Sequence, residues 1–266
     1  MKVRDLGGDD PDHAVMYCVH GNEPCGKLAV DRILHEEPEL KKPIKLVLAN
    51  EKAYTEGKTH LDGDLNRAWN SRGSSTHESS LSEKIKEEIQ GKTVLDIHPS
   101  FSYPEAFGLI TENPEGSRKQ LDRLGLDHIA DMRGVYNSKI PDVHRVAVEC
   151  GYTRSQKAID NAYAAIKNFM KANSIIEGEV ARNIPEEYKL YERVTESDYQ
   201  FIHRNFEKVE KGQTYAISEK ERLDAKEDFY PVLMSTTGYQ DMIGFKAKKK
   251  DRGELRTNQK SSTLKT

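Results

Sequence analysis

Polar side chains follow two short apolar runs of this chain, and their types are those that hold divalent metal ions. His20 and Glu23 come directly after the first run, and Pro24 follows Glu23 at once. His98 ends the second run, with Asp96 two residues before it. A catalytic zinc usually takes three such protein ligands and keeps one position open. His20, Glu23 and His98 are therefore candidate ligands of one zinc ion.

The proline after Glu23 predicts that the first two ligands lie in a loop. Proline disfavours helical dihedrals in the preceding residue and is favoured at the first position of a helix. We therefore expect Glu23 in a turn and a helix from Pro24, which excludes two histidines one turn apart on a continuous helix. The alternative is a structural role, in which His20 is a loop histidine, Glu23 caps the helix and His98 packs without metal.

Asp96 is placed to orient a histidine. Side chains two residues apart on a strand point to the same side, so Asp96 and His98 share a face of the sheet. A carboxylate there can accept a hydrogen bond from an imidazole N–H and fix the ring, as partners of metal ligands commonly do.

The segment Asp64-Leu65-Asn66-Arg67 is typical of a carboxylate-binding site. A guanidinium matches a carboxylate with two hydrogen bonds, and a neighbouring asparagine amide can add a third. This predicts that Arg67 and Asn66 bind a substrate with a free carboxylate. The alternative is a structural contact between Asp64 and Arg67 within a turn.

Glu149 ends the apolar run 146–148, and glutamate is rarely buried without a purpose. In a metal cleft it can take a proton from a metal-activated water and pass it to the leaving nitrogen. We therefore expect Glu149 to act as general base and acid. The alternative is an ion pair with a nearby arginine such as Arg145.

The elements that must position these residues alternate along the first two-thirds of the chain. We predict strands over 14–19, 44–49, 93–97, 106–110 and 145–149 and helices over 27–35, 81–89, 117–124 and 155–173. Strands alternating with helices predict an α/β fold with a mixed or largely parallel sheet flanked by helices.

After residue 173 short β-prone runs punctuated by glycines appear, over 189–194, 213–218, 229–234 and 243–247. They predict a small, mostly β C-terminal domain. We expect a zinc hydrolase catalytic domain over 1–174, the small domain over 175–248, and a disordered basic tail over 249–266. The polar stretch 70–80 is expected to be a surface loop.

Composition excludes several functions. The 266 residues carry a net charge of −3 with a pI near 6.3, which argues against general binding of nucleic acid or anionic membranes. The sequence offers no apolar run of about 20 residues that could cross a bilayer, so we expect a cytoplasmic protein. Cys18, Cys25 and Cys150 form no Cys-x-x-Cys pair, which disfavours disulfides and thiolate zinc sites. Most of the other histidines are expected in solvent.

Taken in order, the motifs resemble those of a known family. His-Gly-Asn-Glu-x-x-Gly, Asp-x-Asn-Arg, Asp-x-His and a strand ending in Glu-x-Gly are similar to the motifs of the succinylglutamate desuccinylase/aspartoacylase family, a branch of the zinc carboxypeptidase-like hydrolases. Their order and spacing match from about residue 14 to 151. The segment Tyr230-Pro231-Val232 followed by Tyr239 is similar to the family's second domain, so the resemblance spans most of the chain.

The resemblance implies one zinc ion per chain held by His20, Glu23 and His98, with Glu149 as general base and acid. It implies that Asn66 and Arg67 hold the carboxylate of an N-acyl amino acid. Tyr239 matches a tyrosine that the family's C-terminal domain brings into the site to contact substrate. The implied fold is a carboxypeptidase-like α/β domain whose cleft a small β domain narrows.

One departure concerns a cation. Several relatives place an arginine eight residues before the Asp-x-Asn-Arg arginine, where it helps polarise the scissile carbonyl. Thr59 occupies that position here, between Lys58 and His60. Either neighbour could supply the charge, or the metal could polarise the carbonyl alone. A second basic residue for an acidic substrate side chain has three candidates, Lys139, Arg133 and Arg145.

We therefore predict a zinc-dependent amidohydrolase that removes the acyl group from an N-acyl amino acid by metal-activated water. The alternatives are a metallocarboxypeptidase acting on peptide C-termini and a catalytically inactive metal-binding homologue. Nucleic-acid binding through the short run Lys246–Lys250 is a remote third. The predicted partner is a small-molecule substrate. The acyl group, the amino acid, the pathway and a homo-oligomeric state stay open.

Overall fold

A computed structural model describes residues 1–69, 75–136, 140, 142–196, 198–239 and 241–251. The strands are β1 (Lys2–Leu6), β2 (His13–Tyr17), β3 (Ile44–Leu48), β4 (Thr93–Ser100), β5 (Phe107–Ile110), β6 (His128–Asp131), β7 (His144–Tyr152), β8 (Glu186–Val194), β9 (Gln200–Phe201), β10 (Thr214–Ile217), β11 (Arg222–Asp224), β12 (Tyr230–Val232) and β13 (Gly244–Lys249). The helices are α1 (Cys25–Glu36), α2 (Glu51–Glu56), α3 (Leu65–Ala68), α4 (His77–Ile89), α5 (Pro114–Leu121) and α6 (Gln156–Ala172).

Ten of these strands form one mixed sheet in the order β1-β3-β2-β4-β7-β5-β6-β8-β13-β12. β3, β2, β4 and β7 are parallel neighbours, whereas β1 and β5 pair antiparallel to β3 and β7. The predicted α/β class with a mixed sheet flanked by helices is confirmed, and the C-terminal third supplies the small β-rich part.

Alternating side chains divide the core between the two faces of the sheet. Leu95 and Ile97 of β4 pack in the cluster that contains α1 and α6. Val94 points to the other face, where Leu81, Ile85 and Ile89 of α4 pack. Asp96 and His98 share the parity of Val94, so the polar residues of β4 lie on the α4 side of the sheet.

The C-terminal strands continue this sheet beyond β6. β8 pairs parallel to β6, and β13 and β12 add to it antiparallel. A separate three-stranded sheet of β11, β10 and β9 packs beside them. The domain boundaries at 174 and 248 stay a prediction, and the predicted tail lies outside the described residues from 252 onward.

The expected surface loop over 70–80 is wrong from His77 onward, because α4 begins there. The Thr76 hydroxyl accepts a hydrogen bond from the Ser79 amide and caps the helix. Residues 70–74 of that prediction lie outside the described residues. α5 begins three residues earlier than predicted, since Asn113 caps it and Pro114 suits its first turn.

Within the described residues, no helix combines the length and the apolar character needed to cross a bilayer.

Candidate active site

The site residues meet where the connections of the sheet diverge. The chain leaves β2 toward β3 on one side, while β4 lies on the other side of β2. Such a point opens a crevice at the carboxyl ends of parallel strands, the usual ligand position in open α/β sheets. His20 and Glu23 follow β2 and His98 lies in β4, where it is directly paired with Glu149 of β7.

The loop after β2 is tightly folded. Cys18, directly after β2, has a left-handed φ of 53°, and the Glu23 amide donates to the carbonyl of His20 at 3.2 Å. Gly21 packs so closely on α2 that an added Cβ would lie 2.1 Å from the carbonyl carbon of Ala53. The close approach of the two backbones therefore leaves no room for a side chain at position 21.

The three predicted ligands converge. His20 Nδ1 lies 2.7 Å from Glu23 Oε1, and His98 Nδ1 lies 3.1 Å from Glu23 Oε2. One ligand atom from each residue lies within 4.8 Å of the others, a group that could hold a metal ion. In both imidazoles it is Nδ1 that faces the shared carboxylate.

The opposite nitrogen of each imidazole meets another carboxylate. His20 Nε2 lies 3.0 Å from Asp64 Oδ1, and His98 Nε2 lies 3.1 Å from Asp96 Oδ2. Asp96 is fully buried and also accepts from Arg145 Nη1 at 3.3 Å. Each ring is thus fixed at both nitrogens.

Neighbouring groups of opposite charge determine the pKa shifts of the three candidate ligands. Burial lowers the pKa of His20, but the carboxylates of Glu23 and Asp64 outweigh it and raise the pKa to about 10. Burial likewise opposes ionisation of Glu23, yet the two imidazoles hold its pKa at about 2. Burial also opposes the charge on His98, but Asp96 and Glu23 raise its pKa well above the ordinary value.

The pKa of Glu149 is raised, whereas that of Glu23 is lowered. Burial raises the pKa of its carboxyl to about 8, with His98 lowering it and Glu23 raising it further. A carboxyl with a pKa near neutrality can both accept and donate a proton. The alternative pairing of Glu149 with Arg145 is not what the structure shows, because Arg145 is bonded to Asp96.

The Asp-x-Asn-Arg segment forms α3. Asp64 caps it by accepting from the Asn66 amide at 2.9 Å, and Asp64 Oδ2 accepts from Arg67 Nε at 3.4 Å. The Arg67 side chain is 70% exposed. Trp69 Nε1 donates to Asn66 Oδ1 at 3.4 Å, so Nδ2 is the atom of Asn66 that could donate to a substrate. The alternative Asp64–Arg67 contact is therefore present, and it anchors an exposed guanidinium.

Two tyrosines lie close to these groups. Tyr239 as a whole residue is 37% exposed. Burial of its phenol group, and then the charge of Glu149, raises its pKa. Burial and the charge of Asp64 raise the pKa of Tyr136, which also senses Arg67. Sequence reasoning missed Tyr136, because it lies between β6 and β7 without a motif of its own.

Asn205 holds the segment that carries Tyr239. Its Nδ2 donates to the carbonyls of Ser102 and Met234 at 2.7 and 2.8 Å, and its Oδ1 accepts from the Met234 amide at 2.8 Å. The segment after β12 is thereby tied to the end of β4. No sequence pattern marked Asn205, since its partners are backbone groups far along the chain.

Lys58 and His60, the candidates for polarising the scissile carbonyl, are not well placed for that role. Lys58 is 60% exposed and pairs with Glu56 at 2.7 Å, and His60 is exposed as well. The Thr59 carbonyl accepts from the amide of Gly21. None of these contacts directs Lys58 or His60 to the ligand group, and their role stays a prediction.

The candidates for an acidic substrate side chain are also engaged elsewhere. Arg133 makes two side-chain hydrogen bonds to Asp131, and Arg145 is 2% exposed beside Asp96. Lys139 lies outside the described residues. In the basic run at the end of β13, Lys246, Lys248 and Lys249 pair with Glu192, Glu227 and Glu186.

The other histidines are less exposed than expected. Only His35 and His60 of the seven are exposed, while the others are partly buried. His128, for example, stacks on Phe206 with ring centroids 4.4 Å apart, because an imidazole can pack like other aromatic rings. The three cysteines are buried and form no disulfide with one another.

Part of this chain is similar to a known protein family. Residues 9–121 match the family model described as the succinylglutamate desuccinylase/aspartoacylase catalytic domain. No curated protein sequence matches the chain.

Solved structures share the fold at low identity. A succinylglutamate desuccinylase/aspartoacylase from Rhodobacter sphaeroides is 15% identical with a TM-score of 0.74, covering 94% of this chain and 88% of its own. Murine aminoacylase 3 is 16% identical with a TM-score of 0.69, covering 91% and 97%. A product-bound ectoine utilization protein from Ruegeria pomeroyi is 14% identical with a TM-score of 0.72, covering 92% and 87%.

The resemblance predicted from the motifs is thus confirmed over residues 9–121, which match the model of the succinylglutamate desuccinylase/aspartoacylase catalytic domain, and the solved structures share the fold over most of the chain.

Proposed function

We propose that this protein is a zinc-dependent amidohydrolase that removes the acyl group from an N-acyl amino acid. The observation that carries the proposal is the orientation of the two imidazoles. His20 and His98 both turn Nδ1 toward the carboxylate of Glu23 and Nε2 toward a separate carboxylate. A merely structural pair of histidines would have no need of this shared geometry.

The donor set fits zinc. Zinc prefers two to three imidazole nitrogens and a carboxylate oxygen in catalytic sites, at about 2.0–2.2 Å. His20, Glu23 and His98 supply this set, and Asp64 and Asp96 supply the hydrogen-bond partners that fix ligand rings. When bound, zinc would activate a water molecule and polarise the scissile carbonyl.

Glu149 would move the protons. Glu149 is paired with His98 across β4 and β7, so the two side chains project from the same face of the sheet. In its ionised form that carboxylate can take a proton from the attacking water, and burial, which raises its pKa to about 8, helps it hold the proton until the amine departs. One residue then serves both halves of the reaction.

Arg67 and Asn66 would hold the substrate. Asp64 contacts the guanidinium at Nε, and the Arg67 side chain is 70% exposed, so a substrate carboxylate could reach it from solvent. The Asn66 amide adds a donor from the same helix. Asp64 also contacts His20. A carboxylate bound by Arg67 and Asn66 would therefore lie at a fixed distance from the three candidate ligands.

The C-terminal segment favours a small substrate over a peptide. Asn205 ties the segment that carries Tyr239 to the chain just after β4, beside the ligand group. Burial, and then the charge of Glu149, raises the pKa of Tyr239, as expected for a phenol that reaches toward the site. A C-terminal segment held there would leave less room for an extended peptide than for an N-acyl amino acid.

The decisive experiment is a substrate panel with metal analysis. N-acetyl and N-succinyl amino acids should be hydrolysed, and short peptides should not. Purified protein should contain about one zinc per chain, and His98→Ala should lose it. Glu149→Ala should keep the zinc and the fold while losing activity. Cleavage of peptides alone would favour the carboxypeptidase, and zinc without any hydrolysis would favour the inactive homologue.

A further inference from the structure

Glu78 is a buried carboxylate that the proposed reaction does not use. It lies in the first turn of α4 with 1% of its surface exposed. Its Oε1 accepts from the Leu61 amide at 2.7 Å and from Asn50 Nδ2 at 3.1 Å. Its Oε2 accepts from the amides of Asp62 and Gly63 at 3.0 and 3.2 Å. Four donors therefore converge on one side chain.

Only an ionised carboxylate satisfies this arrangement. Its two oxygens offer about four acceptor positions and no donor, which matches the four N–H groups. Burial opposes the charge on Glu78, but the amides of Leu61 and Asp62 hold its pKa below the ordinary value. A glutamine of the same shape would turn an NH2 group toward two of the donors and leave them unsatisfied.

The backbone bound by Glu78 leads directly to the site. The loop 59–64 begins with Thr59, whose carbonyl accepts from the amide of Gly21 in the ligand loop. It ends at Asp64, which contacts His20 Nε2 and caps the helix that carries Arg67. The same few residues thus touch the metal-ligand loop and support the carboxylate-binding arginine.

The loop 59–64 also binds α4 through one of its own side chains. Asp62 Oδ2 accepts from the His77 amide at 2.7 Å, at the start of α4. Asn50 links the carboxylate to the sheet, because its own amide donates to the carbonyl of Cys18. Glu78 therefore joins α4, the loop and the end of β2 in one network.

We infer that Glu78 is a positioning residue: its buried carboxylate fixes the loop 59–64 and, through that loop, sets the orientation of the His20 imidazole and the placement of the Arg67 guanidinium. The part that concerns Arg67 rests on the proposed function. The part that concerns the loop and His20 does not require hydrolysis.

The first test is amide hydrogen exchange on the full-length, zinc-loaded protein. Glu78→Gln should accelerate exchange of the 61–63 amides at least about tenfold, with little change in the central strands. Ile85→Val is the matched control, because Ile85 is buried on the same helix and loses only packing. Glu78→Asp keeps the charge and should give a smaller effect, and it replaces Glu78→Gln if that variant does not fold.

The second test is the zinc dissociation constant, measured by competition with a chelator. Loss of the partner that orients a ligand histidine typically weakens metal binding 10–100-fold. Glu78→Gln should show a weakening in this direction through Asp64, and Ile85→Val should not. Equal exchange and equal zinc affinity in Glu78→Gln and Ile85→Val would overturn the inference.

The third test separates Glu78 from the proposed function, with N-acetyl-L-methionine as probe. If Glu78 acts through Arg67, Glu78→Gln should raise KM more than it lowers kcat, and this rise should vanish in the Arg67→Ala background. Independent, additive effects would overturn the link to Arg67. Absence of hydrolysis by the wild type would count against the proposed function, while exchange and zinc affinity would still decide the role of Glu78.

Discussion

Asp96→Asn removes a buried negative charge from the centre of the site while keeping the side-chain shape. Asp96 is fully buried between His98 Nε2 at 3.1 Å and Arg145 Nη1 at 3.3 Å, and Arg145 is itself 2% exposed. Removing one partner of a buried ion pair costs about 3–5 kcal/mol of stability, because the other charge stays buried. Losing the partner of a ligand histidine should also weaken zinc binding 10–100-fold, or about 1.4–2.8 kcal/mol.

The matched control is Asp64→Asn, which makes the same change beside the other histidine. Asp64 is 29% exposed, and asparagine caps a helix as well as aspartate does. Its stability cost should therefore be about 1 kcal/mol or less, while its effect on zinc affinity should match that of Asp96→Asn.

The assays are urea unfolding of the metal-free protein and zinc competition with a chelator. Two outcomes would refute the reasoning. Unchanged zinc affinity in both variants would mean that neither carboxylate orients a ligand. Equal stability losses in the two variants would mean that burial of Asp96 beside Arg145 does not set the energy.

The remaining predictions concern the loop, the C-terminal segment and pH. Gly21→Ala should abolish zinc binding, since its Cβ would fall 2.1 Å from the carbonyl carbon of Ala53, whereas Gly63→Ala has open space and should bind normally in the same titration. Asn205→Ala should cost about 1–3 kcal/mol in urea unfolding, because three backbone groups lose their partner; a loss no greater than that of an exposed Asn→Ala change would contradict this. Burial raises the pKa of Asp122 to about 6, so its favourable contribution is complete below pH 4 and is lost as pH rises through 6. Asp122→Asn should therefore gain about 1–2 kcal/mol at pH 8 after allowance for solvent and nothing at pH 4; a gain that does not vary with pH would contradict it.

Strong local signals explain what the sequence could predict. Strands such as β2, β3 and β7 are buried almost throughout, so their apolar runs stand out in the sequence. β1 was missed because it is an edge strand with a mostly exposed pattern, and β6 because only two of its four residues, Ile129 and Ala130, are apolar. Strand ends rich in polar residues then indicated where the site lies.

Other features depended on distant contacts and had no local signature. Glu78 was assigned to a surface loop because its neighbours are serine and histidine, although it shares the buried face of α4 with Leu81 and Ile85. A charged residue on an apolar helical stripe is the signal that would have identified it. Asn205 satisfies backbone groups that only the folded chain brings together, so no pattern could reveal it.

The site residues form one continuous row of alternating charge. In spatial order the row is Arg145, Asp96, His98, Glu23, His20, Asp64 and Arg67, with neighbouring atoms 2.7 to 3.4 Å apart. With both imidazoles protonated the row has a net charge of +1. A divalent cation bound by neutral imidazoles would displace two protons and give the same total.

This charge balance gives a physical reason for the outer members of the row. Asp96 and Asp64 would be needed in both states: to pair with imidazolium when metal is absent, and to accept from the ring N–H when it is present. Arg145 neutralises the buried Asp96, whereas Arg67, at the other end of the row, has a 70% exposed side chain that a substrate carboxylate would be able to reach. The same electrostatic pattern that stabilises the ligand group thus also defines where an anionic substrate would bind.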